Sequence, residues 1–222
     1  DLTVASLNQG VIGDTNIGLL YIFAVGSLGV YGAILGGWAS NNKYSLLGGL
    51  RLCAQMVSYE LALGLSVIGV IMLAGSLSTV AIVEAQKSIP YIVLQPLGFV
   101  IFMTAAMAEY GRTPFDLIEC ENELVAGYQT EYSSMKWGMF MMGEYAHIIA
   151  ASALATTLFL GGWQGPVLPP VVWFMAKTFA LVFFFIWVRG TFPRFRFDQL
   201  MALGWKVLLP LSLVNILVTG AV

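Results

Sequence analysis

The residues most able to do chemistry in this chain are carboxylates set within long apolar runs. Glu60 lies inside one such run and Glu144 inside another, with His147 one helical turn further along. Lys177 and Lys206 interrupt two more. An ionisable side chain in hydrocarbon is costly, so it usually lines a polar interior path or pairs with another charge. Two readings stand for Glu60 and Glu144: neutral, hydrogen-bonded acids that lock helices together, or groups that exchange protons. A bilayer setting favours the second. Lys177 is open to either, Lys206 is placed to snorkel towards the interface, and His147 is expected to be packed and hydrogen-bonded rather than a ligand.

A second concentration of acids lies at 108–134, where Glu109, Asp116, Glu119, Glu121, Glu123 and Glu131 face a single Arg112. On a helix, Glu119 and Glu123 share a face and Glu121 points elsewhere. Charges this dense repel, so some should hold protons or pair with Arg112 and the basic residues near 189–199. Phe115, Leu117, Leu124, Val125 and Tyr128 are interleaved with the acids. That mixture predicts a loop folded back on the protein or docked on a partner, rather than a solvated acidic run.

Metal chemistry is not expected. Cys53 and Cys120 form no CxxC pair, and His147 is the one histidine. No disulfide framework is indicated. The net charge of −2 gives no reason to expect nucleic-acid binding. The chain begins at Asp1 with no charged segment leading into an apolar one, so no signal peptide is expected.

The elements that must position these residues follow from composition. Of the 222 residues, 59% are apolar and 10% charged, and the mean hydropathy is +0.84. A soluble domain carries about 25% charged residues, so most of this exterior must face lipid. Apolar runs of bilayer-crossing length fall near 17–38, 52–73, 91–107, 135–160, 171–188 and 200–218. The expectation is an all-α polytopic bundle of about six spans forming a single transmembrane domain over 1–222, with 108–134 as its acidic loop. Glu60 then lies roughly 13 Å into its span at 1.5 Å per residue. Lys43, Arg51, Arg112, Lys136, Arg189, Arg194 and Arg196 lie in or beside the first, third and fifth loops, against Lys87 on the other side. The positive-inside rule puts those three loops on the cytoplasmic face or its organellar equivalent.

The segment EYGRTPFDLIECENELVAGYQTEYSSMK at 109–136 resembles the acidic-loop signature of one family. This is a membrane component of proton-pumping NADH:quinone oxidoreductase (respiratory complex I), called the H subunit in bacteria and subunit 1 of the NADH dehydrogenase in mitochondria. Further matches follow in family order: GWASNNKY at 37–44, Arg51 with QMVSYE at 55–60, GEY at 143–145 and RFRFDQLM at 194–201. The family fold has eight transmembrane helices, and the spans here resemble its last six. The elements before them form much of the family's quinone entrance, so the resemblance implies an incomplete pocket in this chain. Ile118 and Cys120 stand where the family usually has proline and alanine.

The resemblance implies a quinone substrate. It assigns Arg112, Asp116, Tyr145 and Arg189 to the quinone path, and Glu60, Glu109, Glu119, Glu121, Glu123, Glu131 and Glu144 to proton transfer. It puts flavin and iron–sulfur clusters on partner subunits and no redox centre on this chain. The expected partners are the peripheral-arm quinone-site subunits, other membrane-arm subunits and the lipid bilayer. The expected location is a bacterial plasma membrane, with a mitochondrial inner or thylakoid membrane as the alternative. Rival readings are the related component of a membrane-bound hydrogenase, an autonomous proton-coupled transporter, and a passive anchor.

Overall fold

A computed structural model describes residues 14–116, 127–166 and 169–221. All six apolar runs are helical, and no strand occurs among the described residues. In chain order the helices are α1 (Gly18–Ala39), α2 (Lys43–Ala74), α3 (Thr79–Ala85), α4 (Tyr91–Leu94), α5 (Pro96–Glu109), α6 (Ser134–Phe159), α7 (Pro170–Thr191) and α8 (Phe197–Ala221). A 3₁₀ turn at Gly127–Gln129 precedes α6. Four helices, α1, α2, α7 and α8, are long and apolar enough to cross a bilayer. The 14-residue α5 is apolar but shorter. The 26-residue α6 has the length, with Lys136, Glu144 and His147 along it.

The helix α2 is the axis of the bundle: it packs against α1, α3, α5, α6 and α8. Half of its most apolar window is buried inside the protein, against 11% for α1, 17% for α7 and 22% for α8. The outer helices therefore turn their large side chains outward, among them Trp38, Phe183 and Leu217. That is how a lipid-facing exterior uses the apolar excess of the composition. The interior is filled by Tyr59, Phe102 and Phe159, with the Tyr59 hydroxyl donating to the Leu200 carbonyl at 2.8 Å.

Three boundaries differ from the sequence reading, each for a local reason. Residues 43–49, outside the apolar run at 52–73, are the first turns of α2. Asn42 caps that start, its side chain accepting from the Tyr44 amide. Gly37 and Gly49 let α1 and α2 cross closely, because a Cβ on Gly37 would lie 2.7 Å from the Ser45 carbonyl oxygen. That packing outweighs glycine's poor helix propensity. The third run is broken at Gln95, since the residue before Pro96 is pushed out of helical geometry while Pro96 suits the first helical position. Finally, α8 widens to a π turn at Leu203–Leu208. Pro210 cannot donate to the Lys206 carbonyl and crowds it, which loosens the turn.

Candidate functional site

The site lies where α1, α2, α6 and α7 surround the end of α5. Three cavities meet there. An inner one of about 70 Å³ is lined by Ser27 of α1, Glu60 of α2, Glu109, Tyr110 and His147. A larger one of about 240 Å³ shares Glu109, Tyr110 and His147, and adds Glu144, Tyr128 and Phe140. A cleft of about 130 Å³, with almost wholly apolar walls, is lined by Tyr110, Arg112, Tyr145, Phe185 and Arg189. Tyr110 borders all three.

Each carboxylate owes its position to a helix. Glu60 accepts a hydrogen bond from the Ser27 hydroxyl across the α1–α2 contact. Glu109, the last residue of α5, lines the same inner cavity as Glu60. Glu144 is held by Arg112: Nη2 donates to Oε2 at 2.6 Å, and Nε pairs with Oε1. The Nη2 bond is charge-assisted and therefore stronger than a neutral hydrogen bond. The pair is also nearly enclosed, with side-chain exposures of 13% and 16%. The guanidinium additionally lies 5.6 Å from the Tyr145 ring centroid, a cation–π contact.

The segment after α5 folds back onto the protein. The Phe195 amide donates to the Pro114 carbonyl at 3.0 Å, and the Phe115 and Phe195 rings stack with centroids 5.6 Å apart. Arg194 donates to Asp116 at 3.0 Å, joining the acidic loop to the basic one as the charge pattern led us to expect. Asp116 lines none of the three cavities, and its Oδ1 has no hydrogen-bond partner among the described residues.

Of the residues singled out from sequence, the fold brings Glu60, Glu109 and Glu144 to two adjoining cavities and Arg112, Tyr145 and Arg189 to one cleft. Tyr145 and Arg189 are exposed along that cleft. Glu131 stands apart, exposed and accepting from the Asn42 side chain at 2.8 Å. Glu119, Glu121, Glu123, Ile118 and Cys120 lie outside the described residues. Lys177 has a structural partner set: its ammonium donates to the carbonyls of Leu160, Gly162 and Gln164 at 2.7, 3.1 and 2.8 Å. It thus satisfies the end of α6. Sequence reasoning missed Tyr110 and Ser27, which carry no charge signal, and set His147 aside. The one available hint was the spacing of Glu144 and His147 on a common helix face.

A family model described as NADH dehydrogenase matches residues 2–220. The chain belongs to the NADH dehydrogenase family. Among curated members it is 62% identical to the H subunit of the NADH-quinone oxidoreductase of Syntrophotalea carbinolica, over 95% of this chain and 64% of that protein. It is 61% identical to the second of the numbered H subunits of Syntrophobacter fumaroxidans over the same shares. It is also 61% identical to the H subunit of Dehalococcoides mccartyi, over 93% of this chain and 58% of that protein. The chain thus spans under two thirds of the length of these family members. Within the NADH dehydrogenase family it is an all-α, polytopic membrane bundle.

Proposed function

We propose that this chain is the quinone-site membrane component of a proton-pumping NADH:quinone oxidoreductase. In this role it supplies part of the quinone tunnel and a carboxylate path for protons. The observation that carries the reading is the Arg112–Glu144 pair, whose two halves belong to different compartments. Arg112 lines the apolar cleft with Tyr145 and Arg189, while Glu144 lines the neighbouring cavity with Glu109.

An apolar cleft with a few convergent polar groups suits a quinone headgroup: the walls exclude water and the arginines hold its oxygens. Reduction of quinone to quinol takes up protons as well as electrons. Any change of charge at the headgroup alters what Arg112 feels and so how firmly it holds Glu144. Released from its partner, Glu144 can accept a proton from the adjoining cavity. Glu109 and Glu60 continue the path inward along the inner cavity. Electrons come from flavin and iron–sulfur clusters on partner subunits, and the assembly sits in a bacterial plasma membrane.

Gentle solubilisation of native membranes, capture through this chain and an assay for quinone reduction test the assignment. Inhibitor-sensitive activity with co-purifying flavin and iron–sulfur subunits is the expected result. A chain that leaves the membrane alone and, reconstituted alone, carries protons by itself refutes it. For the proton path, Glu60→Gln and Glu144→Gln should impair proton translocation. Wild-type proton-to-electron ratios in sealed vesicles for both would remove these residues from the path.

A further inference from the structure

The path above leaves His147 unused, although it stands where the two carboxylate-lined cavities adjoin. His147 lines the inner cavity with Glu60 and the larger one with Glu144. Glu60 lines only the inner cavity and Glu144 only the larger, while Glu109 at the end of α5 borders both beside His147. We infer that His147 is a proton-transfer residue that joins the two cavities, passing protons between the Glu60–Glu109 pair and Glu144. This inference rests on the proton-path reading and adds a second proton-carrying group, beside Glu109, where the cavities adjoin.

The imidazole suits that place for three reasons. A histidine ring has two nitrogens on opposite edges, and one can accept a proton while the other gives one up. The ring nitrogens of His147 make no hydrogen bond or ion pair with a described residue, so both are left for solvent in the cavities. Each cavity, at about 70 and 240 Å³, exceeds the roughly 10–15 Å³ that one water requires. The ring is also held in place. Its centroid lies 5.1 Å from that of Tyr110, and the Tyr110 ring is itself braced edge-on by Phe185 at 6.3 Å. Tyr110 is therefore a positioning residue.

The titratable groups around the imidazole come from every element packed there: Glu60 from α2, Glu109 and Tyr110 from the end of α5, Tyr128 from the 3₁₀ turn, and Glu144 with its Arg112. In the transfer, the Glu109 carboxyl gives its proton to one imidazole nitrogen, directly or through water. The imidazolium releases the proton on its opposite nitrogen towards Glu144. A ring flip, or exchange with solvent, restores the first tautomer. Once neutral, Glu144 loosens Arg112 at the cleft, so transfer through His147 and charge at the quinone site act on one ion pair.

The test uses the whole assembled complex in sealed vesicles, with His147→Ala and His147→Asn beside Glu60→Gln. Both histidine variants should lower the rate of proton translocation roughly 100-fold, the scale of losing a positioned proton-transfer group. Added imidazole should restore His147→Ala, because it fits the vacated space and carries a proton. Pyrazole, of the same shape but too weak a base, should not. Equal restoration by pyrazole would mean that the ring only fills space, and would overturn the relay. If Glu60→Gln is defective while His147→Asn pumps as wild type, the relay fails and the path stands. If both pump as wild type, the path itself is wrong. Co-purification of the partner subunits with each variant establishes that it has assembled.

Discussion

At the scale of single residues, the Arg112–Glu144 pair is the strongest interaction in the site and the most sensitive to substitution. Removing one partner of a nearly enclosed pair strands the other charge, at a cost on the order of 3 kcal/mol. Arg112→Gln and Glu144→Gln should each lower the thermal midpoint of the purified complex. The double variant should lose less than the sum of the two, and simple additivity would show that the pair is not coupled. The Asp116–Arg194 pair makes a useful contrast, because Arg194 is 36% exposed and solvent screens it. Arg194→Gln should therefore cost about 1 kcal/mol or less, measured in the same assay. A larger loss than for Arg112→Gln would contradict this ranking. The charges themselves were plain in the sequence, but their partners were not.

Element by element, two devices hold the helices that carry the site. Lys177 ties α7 to the end of α6 by donating to three carbonyls. Lys177→Met frees those acceptors and should destabilise the complex by roughly 2 kcal/mol, the scale of hydrogen bonds to a charged group. Proton translocation per surviving complex should stay at the wild-type level, and a selective loss of pumping would give Lys177 a part in proton transfer. The close crossing of α1 over α2 is the second device. A Cβ at Gly37 meets the Ser45 carbonyl oxygen at 2.7 Å, with backbone on both sides and no flexible side chain to yield. Gly37→Ala should force the helices apart at a cost of roughly 1–3 kcal/mol, read as a lower unfolding temperature. It should also weaken the Ser27–Glu60 contact, which depends on that crossing. Apolar run length identified the spans, yet it put the start of α2 about two and a half turns too late. Gly48 and Gly49 look like a turn until their packing is seen, and the break at Gln95 needed only Pro96 to be taken seriously.

On the whole-molecule scale, the basic residues of the first, third and fifth loops set an orientation that can be measured. Single cysteines at Lys43, Lys136 and Arg194, in a background lacking Cys53 and Cys120, should react with an impermeant reagent added from the cytoplasmic side. A cysteine at Lys87 should react from the other side. Reaction of the Lys87 and Lys136 positions from the same face would contradict the charge rule.

Composition and the spacing of apolar runs were enough, by themselves, to establish a lipid-facing helical bundle, its approximate spans and, through the 109–136 segment, its family. These are sums over local stretches of chain, and lipid imposes them wherever the helices end up. Which charge meets which was decided only in three dimensions. Arg112 and Glu144 are 32 positions apart, and their pairing depends on how α5 and α6 are rotated about their axes. Side-chain packing against α2 sets that rotation, glycine by glycine. The same rotation turns His147 to the junction of two cavities, and the packing of α7 on α6 brings Lys177 to the end of α6, although in sequence both are simply polar residues in apolar runs.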